Sequence, residues 1–75
     1  MTKELPRLTA KEIISVLERV GFTFTRQSGS HKIFKNSEGK RVTVPFHGSK
    51  ILHPKILKNI LKDANIDIEK LRELL

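Results

Sequence analysis

The sequence contains no cysteine, tryptophan or tyrosine, and its four phenylalanines are the only aromatic residues apart from histidine. Without cysteine, the chain can form no disulfide, no thiolate zinc site and no cysteine nucleophile. No apolar run approaches the roughly 20 residues that a membrane-spanning helix needs, and the opening Met-Thr-Lys-Glu-Leu-Pro lacks the apolar core of a signal peptide. We therefore expect a cytoplasmic protein without a membrane segment, folded by packing alone or with help from a partner.

Acidic residues are also scarce. The 75 residues include 8 Asp and Glu against 15 Lys and Arg, a formal net charge of +7. A chain this short has room for one domain, which we expect to span residues 1–75. Glu38 is the only acid between Arg19 and Lys62, a window that holds ten basic residues. Such charge can belong to an ordinary solvated face, but its concentration in the middle of the chain favours a surface that binds phosphates.

Hydrophobic periodicity predicts an α+β fold with the order α-β-β-β-α and a short additional C-terminal helix. Thr9 followed by Glu12 is a capping box at the start of an apolar helical pattern. Alternating residues between short turns predict a three-stranded antiparallel sheet, with both long helices on one face and the other face open. The predicted elements are a helix over about 9–20, strands over 22–26, 31–35 and 40–44, a helix beginning at Pro54, and a last helix capped by Asp67.

The same periodicities predict which side chains the helices and the sheet bury between them. The expected set is Phe22, Phe24, Val42 and Val44 on the sheet, and Ile56, Leu57, Ile60 and Leu61 on the second long helix. Ile33 and Phe34 are neighbours in one strand, so they must point to opposite faces. Placing the larger Phe34 in the core leaves His31, Ile33 and Lys35 on the open face.

Two polar segments are the candidates for a functional site: residues 26–32, Arg-Gln-Ser-Gly-Ser-His-Lys, and residues 44–50, Val-Pro-Phe-His-Gly-Ser-Lys. Each strand of a meander reverses direction, so the turn after the first strand and the loop after the third lie at the same end of the sheet. We therefore expect the two segments to converge. The residues expected to bind RNA or its phosphates are Arg26, Gly29, Ser30, Lys32, His47 and Lys50.

The chemistry that these segments suggest is RNA cleavage. Histidine is the side chain whose ordinary pKa allows it to give and take protons near neutral pH. RNA supplies its own nucleophile, the 2′-hydroxyl, so a cleaving site needs a base or acid and positive charge, but no metal, cofactor or covalent nucleophile. His31 is the candidate base or acid, and Arg26 or Lys32 would stabilise the charge on the phosphate. Backbone N–H groups around Gly29 would bind a phosphate oxygen.

Spacing alone leaves other interpretations open. His31 and His47 can be ordinary surface residues, and His53 before Pro54 is best explained as a helix-start residue. A zinc site formed by the three histidines matches no standard spacing. For the whole chain, the alternatives are a non-catalytic module that binds double-stranded RNA by shape and phosphates, and a structural partner protein with no role on RNA.

Four stretches of the sequence resemble the HicA family of bacterial and archaeal toxins, also called YcfA-like. They are Gly21-Phe22, Arg26 to His31 with its Gly-Ser-His motif, Val44 to His47 as Val-Pro-Phe-His, and Ile60 to Ala64. The resemblance runs from about residue 8 to residue 66, which we take as the core of the domain. One departure lies at the start of the second long helix, where many members have Gly-Thr-Leu and this chain has His-Pro-Lys-Ile-Leu over residues 53–57.

The resemblance implies the toxin of a type II toxin–antitoxin system, a small protein that cleaves messenger RNA. It implies a fold like that of double-stranded-RNA-binding domains, in the order that the periodicity also predicts. The family's catalytic residue is the histidine of the Gly-Ser-His motif, here His31, and Gly29 matches its close-turn glycine. A HicB-like antitoxin would bind the toxin and mask its active site.

Overall fold

The elements of the fold follow one another as the sequence predicts. The computed structural model describes residues 5–75. They form α1 (Ala10–Arg19), β1 (Thr23–Ser28), β2 (His31–Lys35), β3 (Arg41–Pro45), α2 (Pro54–Ala64) and α3 (Ile68–Leu74). The strands make an antiparallel sheet in the order β1-β2-β3. The predicted α+β fold is confirmed, with the long helices on one face of the sheet.

Local side-chain caps set where the helices begin. The Thr9 hydroxyl accepts from the Glu12 N–H at 3.3 Å, and the Glu12 carboxylate accepts from the Thr9 N–H at 2.9 Å. This reciprocal pair is the predicted capping box. At α2, His53 Nδ1 accepts from the Lys55 N–H at 3.1 Å, so His53 is the helix-start residue that the sequence indicates. Asp67 caps α3 as predicted.

The first strand contains an irregularity that the alternation of its residues does not reveal. Phe24 pairs with Phe34, but the next paired residue is Arg26, which lies opposite Ile33, so a β-bulge leaves Thr25 without a partner. Residues directly opposite each other in a sheet share a face. Because of the bulge, Arg26 does not lie on the face that Phe24 shares with Phe34. It lies on the opposite face, with Ile33.

The core lies between the helices and one face of the sheet. Its largest fully buried side chains are Phe22, Phe34, Ile13, Leu17, Leu57, Leu71, Val16, Val42 and Val44. Phe34 is in the core as predicted. Ile33 lies on the opposite face, also as predicted, yet it is only 4% exposed. Its partners across the sheet are Arg26 and Thr43, which flank it on both sides.

Two residues expected in the core are exposed. Phe24 lies on the helix side of the sheet but is 53% exposed, with its ring edge-on to Phe34 at 5.8 Å. Because α1 and α2 pack chiefly against β3, at the other edge, they leave β1 uncovered. Ile56 is 36% exposed, so the prediction that it joins the buried stripe of α2 is wrong. The contact of α2 with the core is made instead by its neighbour Leu57 and, one turn further on, by Ile60 and Leu61.

The chain segments before α1 and α2 pair with each other. Thr9 and Ile51 form an isolated antiparallel bridge, and the Leu52 N–H donates to the Leu8 carbonyl at 2.8 Å. The position of the loop between β3 and α2 is thereby fixed against the start of α1. Among residues 5–75, no helix has the length and apolar character to cross a membrane.

Candidate functional site

The two polar segments meet at one end of the sheet, as predicted. His31 is the β2 residue paired with Pro45 of β3. One residue further on, the Phe46 N–H donates to the Ser30 carbonyl at 2.6 Å. This bond joins the β1–β2 turn directly to the loop that carries His47. The convergence is thus established through the backbone, by bonds between residues far apart in sequence.

The turn beside His31 is a two-residue hairpin. Ser28 pairs with His31, and Gly29 and Ser30 connect them. Gly29 has φ of +58°, while Ser30 does not have a positive φ. Glycine at the first central position with positive φ is the pattern of a type II′ turn, whose twist suits a hairpin. The Gln27 side-chain amide donates to the Gly29 carbonyl at 2.9 Å and braces the turn.

The face of the sheet opposite the helices is cationic. Pairing places its side chains in three rows across the strands: Ser28, His31 and Pro45; Arg26, Ile33 and Thr43; Thr23, Lys35 and Arg41. None of the three strand segments contains Asp or Glu. The predicted position of His31 and Lys35 on this open face is confirmed by the pairing.

Arg26 is one row from His31 on this open face. Such diagonal neighbours lie about 7–8 Å apart, a separation that a guanidinium on its long side chain readily spans. The β-bulge at Thr25 is what brings Arg26 to this face. Without it, Arg26 would share the helix face with Phe24, since side chains alternate strictly along a regular strand.

Lys32 does not lie beside His31. It pairs with Gln27 and Val44 on the helix side of the sheet. Its Nζ sits 3.9 Å from the centroid of the Phe46 ring, a cation–π contact. Through this contact Lys32 stabilises the position of the loop after β3, on the helix side of the sheet. The sequence offered no sign of this contact, since Lys32 and Phe46 are separated by a whole strand and a turn.

His47 and Lys50 lie on the loop after Pro45. Together with His53 they line a recess of about 130 Å³. Sequence reasoning singled out His47 and Lys50 but not the apolar residues of the same recess, Ile51 and Ile56. Within residues 5–75, no three His, Asp or Glu side chains are grouped so that they would hold a metal ion.

These features define a small basic α-β-β-β-α domain with a histidine at the polar end of an acid-free sheet face. A family model described as the HicA toxin of bacterial toxin–antitoxin systems matches residues 10–66. The chain belongs to the HicA toxin family, as its motifs indicated. It is accordingly a toxin of a toxin–antitoxin system, and this membership implies an antitoxin partner. A comparison with curated proteins finds no match.

Proposed function

We propose that this toxin is an endoribonuclease that cleaves messenger RNA in the cytoplasm without a metal or cofactor, with His31 as its catalytic residue. The observation that carries the proposal is the acid-free open face, on which His31 and Arg26 occupy adjacent rows. A cationic face with a proton-transfer group suits a polyanion that contains its own nucleophile.

The reaction requires one bond to form and one to break at phosphorus. The 2′-oxygen attacks the adjacent phosphate as its proton is removed, the P–O5′ bond breaks, and the 5′-oxygen takes up a proton. The products are a 2′,3′-cyclic phosphate and a 5′-hydroxyl end. His31 removes the first proton or delivers the second. Arg26 stabilises the charge that builds up on the phosphate oxygens.

The remaining RNA contacts come from the turn and the loop beside His31. Backbone N–H groups of the turn at Gly29 and Ser30 bind a phosphate oxygen. His47 and Lys50 contact the strand where it passes the loop. Lys32 stabilises this loop through Phe46 and acts on RNA through its position rather than by touching the reacting phosphate.

The decisive experiment compares wild type with His31→Ala on end-labelled single-stranded RNA in excess chelator. We expect wild type to cleave and His31→Ala to lose about 10²–10⁴-fold in rate, the usual contribution of a positioned acid or base. Ser37→Ala, in the turn at the opposite end of the sheet, is the matched control and should cleave normally. Equal cleavage by His31→Ala would refute its role, and loss of wild-type cleavage in chelator would refute metal independence.

Binding without any cleaved product would favour the alternative, a non-catalytic module for double-stranded RNA. The exposed lysines of α2, Lys55, Lys58 and Lys62, favour that alternative. Affinity should fall with salt in both cases, with a log–log slope of roughly −0.7 for each phosphate neutralised on a single strand. Arg26→Ala should reduce that slope by about one such increment, whereas a flat salt response in wild type would contradict phosphate binding.

The antitoxin partner fits the same face. We propose a HicB-like protein whose acidic surface covers His31 and Arg26, since complementary charge gives rapid and specific association. Arg26→Glu should then slow association with the antitoxin in a stopped-flow measurement, while Lys11→Glu, on the exposed side of α1, should not. Equal slowing by both variants would indicate an effect of net charge instead of this face.

A further inference from the structure

The recess between the loop after β3 and the start of α2 is partly walled by exposed apolar side chains. Ile51 and Ile56 line it and are 51% and 36% exposed. The core beneath is closed by Leu52 and Leu57, so neither isoleucine is needed to complete it. Ile51 is also held in place by its backbone bridge to Thr9. This bridge anchors one wall of the recess, and the two isoleucines offer apolar surface to a ligand.

The polar side chains of this recess are all basic or proton-donating. Among residues 5–75 they are His47, Lys50 and His53, with no carboxylate beside them in the recess. His53 Nδ1 accepts the Lys55 N–H, so the neutral ring carries its proton on Nε2. That nitrogen donates to no group among residues 5–75. Apolar walls with donors at the rim match a flat heterocycle that presents oxygen or nitrogen acceptors and is linked to phosphates.

The recess is also close to the proposed catalytic residue. Pro45 lines it and is paired directly with His31 across β2 and β3. Such partners have Cα atoms about 4.5–5.5 Å apart. A base held in the recess would therefore lie near the phosphate that meets His31 in the proposed reaction. The recess volume of about 130 Å³ suits one ring system and is too small for a helix or a folded peptide segment.

We propose that this recess binds the base of a nucleotide adjacent to the scissile phosphate and thereby determines where RNA is cut. The inference rests on the proposed ribonuclease activity. Ile51 and Ile56 cover the faces of the base, as apolar side chains do around an extruded base. His53 and Lys50 donate to the acceptors on its edge.

The test is sequencing of the products formed from an RNA library with randomised positions. The proteins compared are wild type, the double variant Ile51→Ala with Ile56→Ala, His53→Asn, and Leu75→Ala as control. Asn keeps the helix cap, and its remaining N–H donor is on a shorter side chain than the Nε2 of histidine. Leu75 is also apolar and 56% exposed. It follows α3, where the Leu74 carbonyl accepts from Arg19 at the C-terminal end of α1, and it is not among the residues that line the recess.

Wild type should show a base preference at one position next to the cut. The double variant should lose that preference, and its kcat/KM should fall at least fivefold. His53→Asn should weaken the preference while its Tm stays close to that of wild type, and Leu75→Ala should match wild type in both respects. Measuring base preference together with kcat/KM separates a binding role from a structural one. A destabilised protein would lose rate without changing its base preference.

Three outcomes would overturn the inference while leaving the nuclease intact. They are a wild-type enzyme without base preference, a double variant that keeps the wild-type preference whatever its rate, and a double variant that cleaves normally but binds the antitoxin more weakly. The last would make the recess a protein contact. Failure of the proposed function has a different signature, since wild type would then not cleave, or His31→Ala would cleave as well as wild type.

Discussion

The glycine of the turn beside His31 gives a sharp prediction, because its substitution affects the backbone alone. Gly29 has φ of +58°, and a Cβ added there would meet no atom of residues 5–75 within 4 Å, its chain neighbours apart. Alanine therefore fits sterically, and its cost is the positive φ of this turn position, about 1–3 kcal/mol for a residue other than glycine. Alanine also lowers the conformational entropy of the unfolded chain, which raises the free energy of unfolding by about 0.4–1 kcal/mol. Gly29→Ala should thus destabilise by about 1 kcal/mol, which is roughly 4–8 °C in Tm for a domain of this size.

Gly39 supplies the matched control at the other end of the sheet. Its φ is +81°, and an added Cβ would again meet nothing within 4 Å in the part of the chain that the structure describes. Gly39→Ala should lower Tm by a similar amount in a thermal melt followed by circular dichroism. RNA cleavage, measured well below both transitions, should fall only for Gly29→Ala, because only that turn lies beside His31. An unchanged Tm for Gly29→Ala would refute the backbone argument, and equal loss of cleavage by both variants would refute the role of the turn.

Three further predictions concern stability and the loop. Thr9→Ala should cost about 1 kcal/mol in urea unfolding by breaking the capping box, while Thr9→Ser should cost little; equal losses would contradict the cap. Phe34→Ala should lower the free energy of unfolding by about 3–5 kcal/mol because its ring is buried. Phe24→Ala should lower it by only about 1 kcal/mol, chiefly through loss of the edge-on contact between the two rings. Similar losses for the two variants would contradict the exposure of Phe24. Lys32→Met should lower kcat/KM without changing the salt slope, because it releases Phe46, and Lys32→Arg should restore the rate; a changed slope would indicate direct phosphate contact.

The features predicted well from the sequence are those fixed by neighbouring residues. A capping box depends on Thr9 and Glu12, three positions apart, and the stop after α2 depends on Asn65, which adopts a left-handed conformation. The α-β-β-β-α order follows from such local signals. The convergence of the two polar segments also followed, because reversing strands leave few arrangements of a three-stranded meander.

The features that escaped prediction depend on how distant elements lie over one another. Phe24 reads as a core residue in its own strand, but the helices cover β3 and leave the outer edge at β1 exposed. Ile56 reads as part of the apolar stripe of α2, but Leu57, Ile60 and Leu61 are the residues of that helix that the core buries. The contact of Lys32 with Phe46 likewise depends on tertiary packing. For the candidate site, the Gly-Ser-His motif pointed to His31, whereas the apolar half of the recess has no motif at all.

The bulge in β1 shows how one unpaired residue decides which side chains act together. Along β2, alternation puts His31 on the open face and Lys32 on the helix face, so neighbours in sequence cannot both reach one phosphate. Along β1, regular alternation would have left Arg26 on the helix face as well, and the open face near His31 would lack a cation. Thr25 shifts the register by one, and Arg26 moves to the row next to His31. Its place in the proposed mechanism therefore depends on pairing register, which composition and charge do not specify.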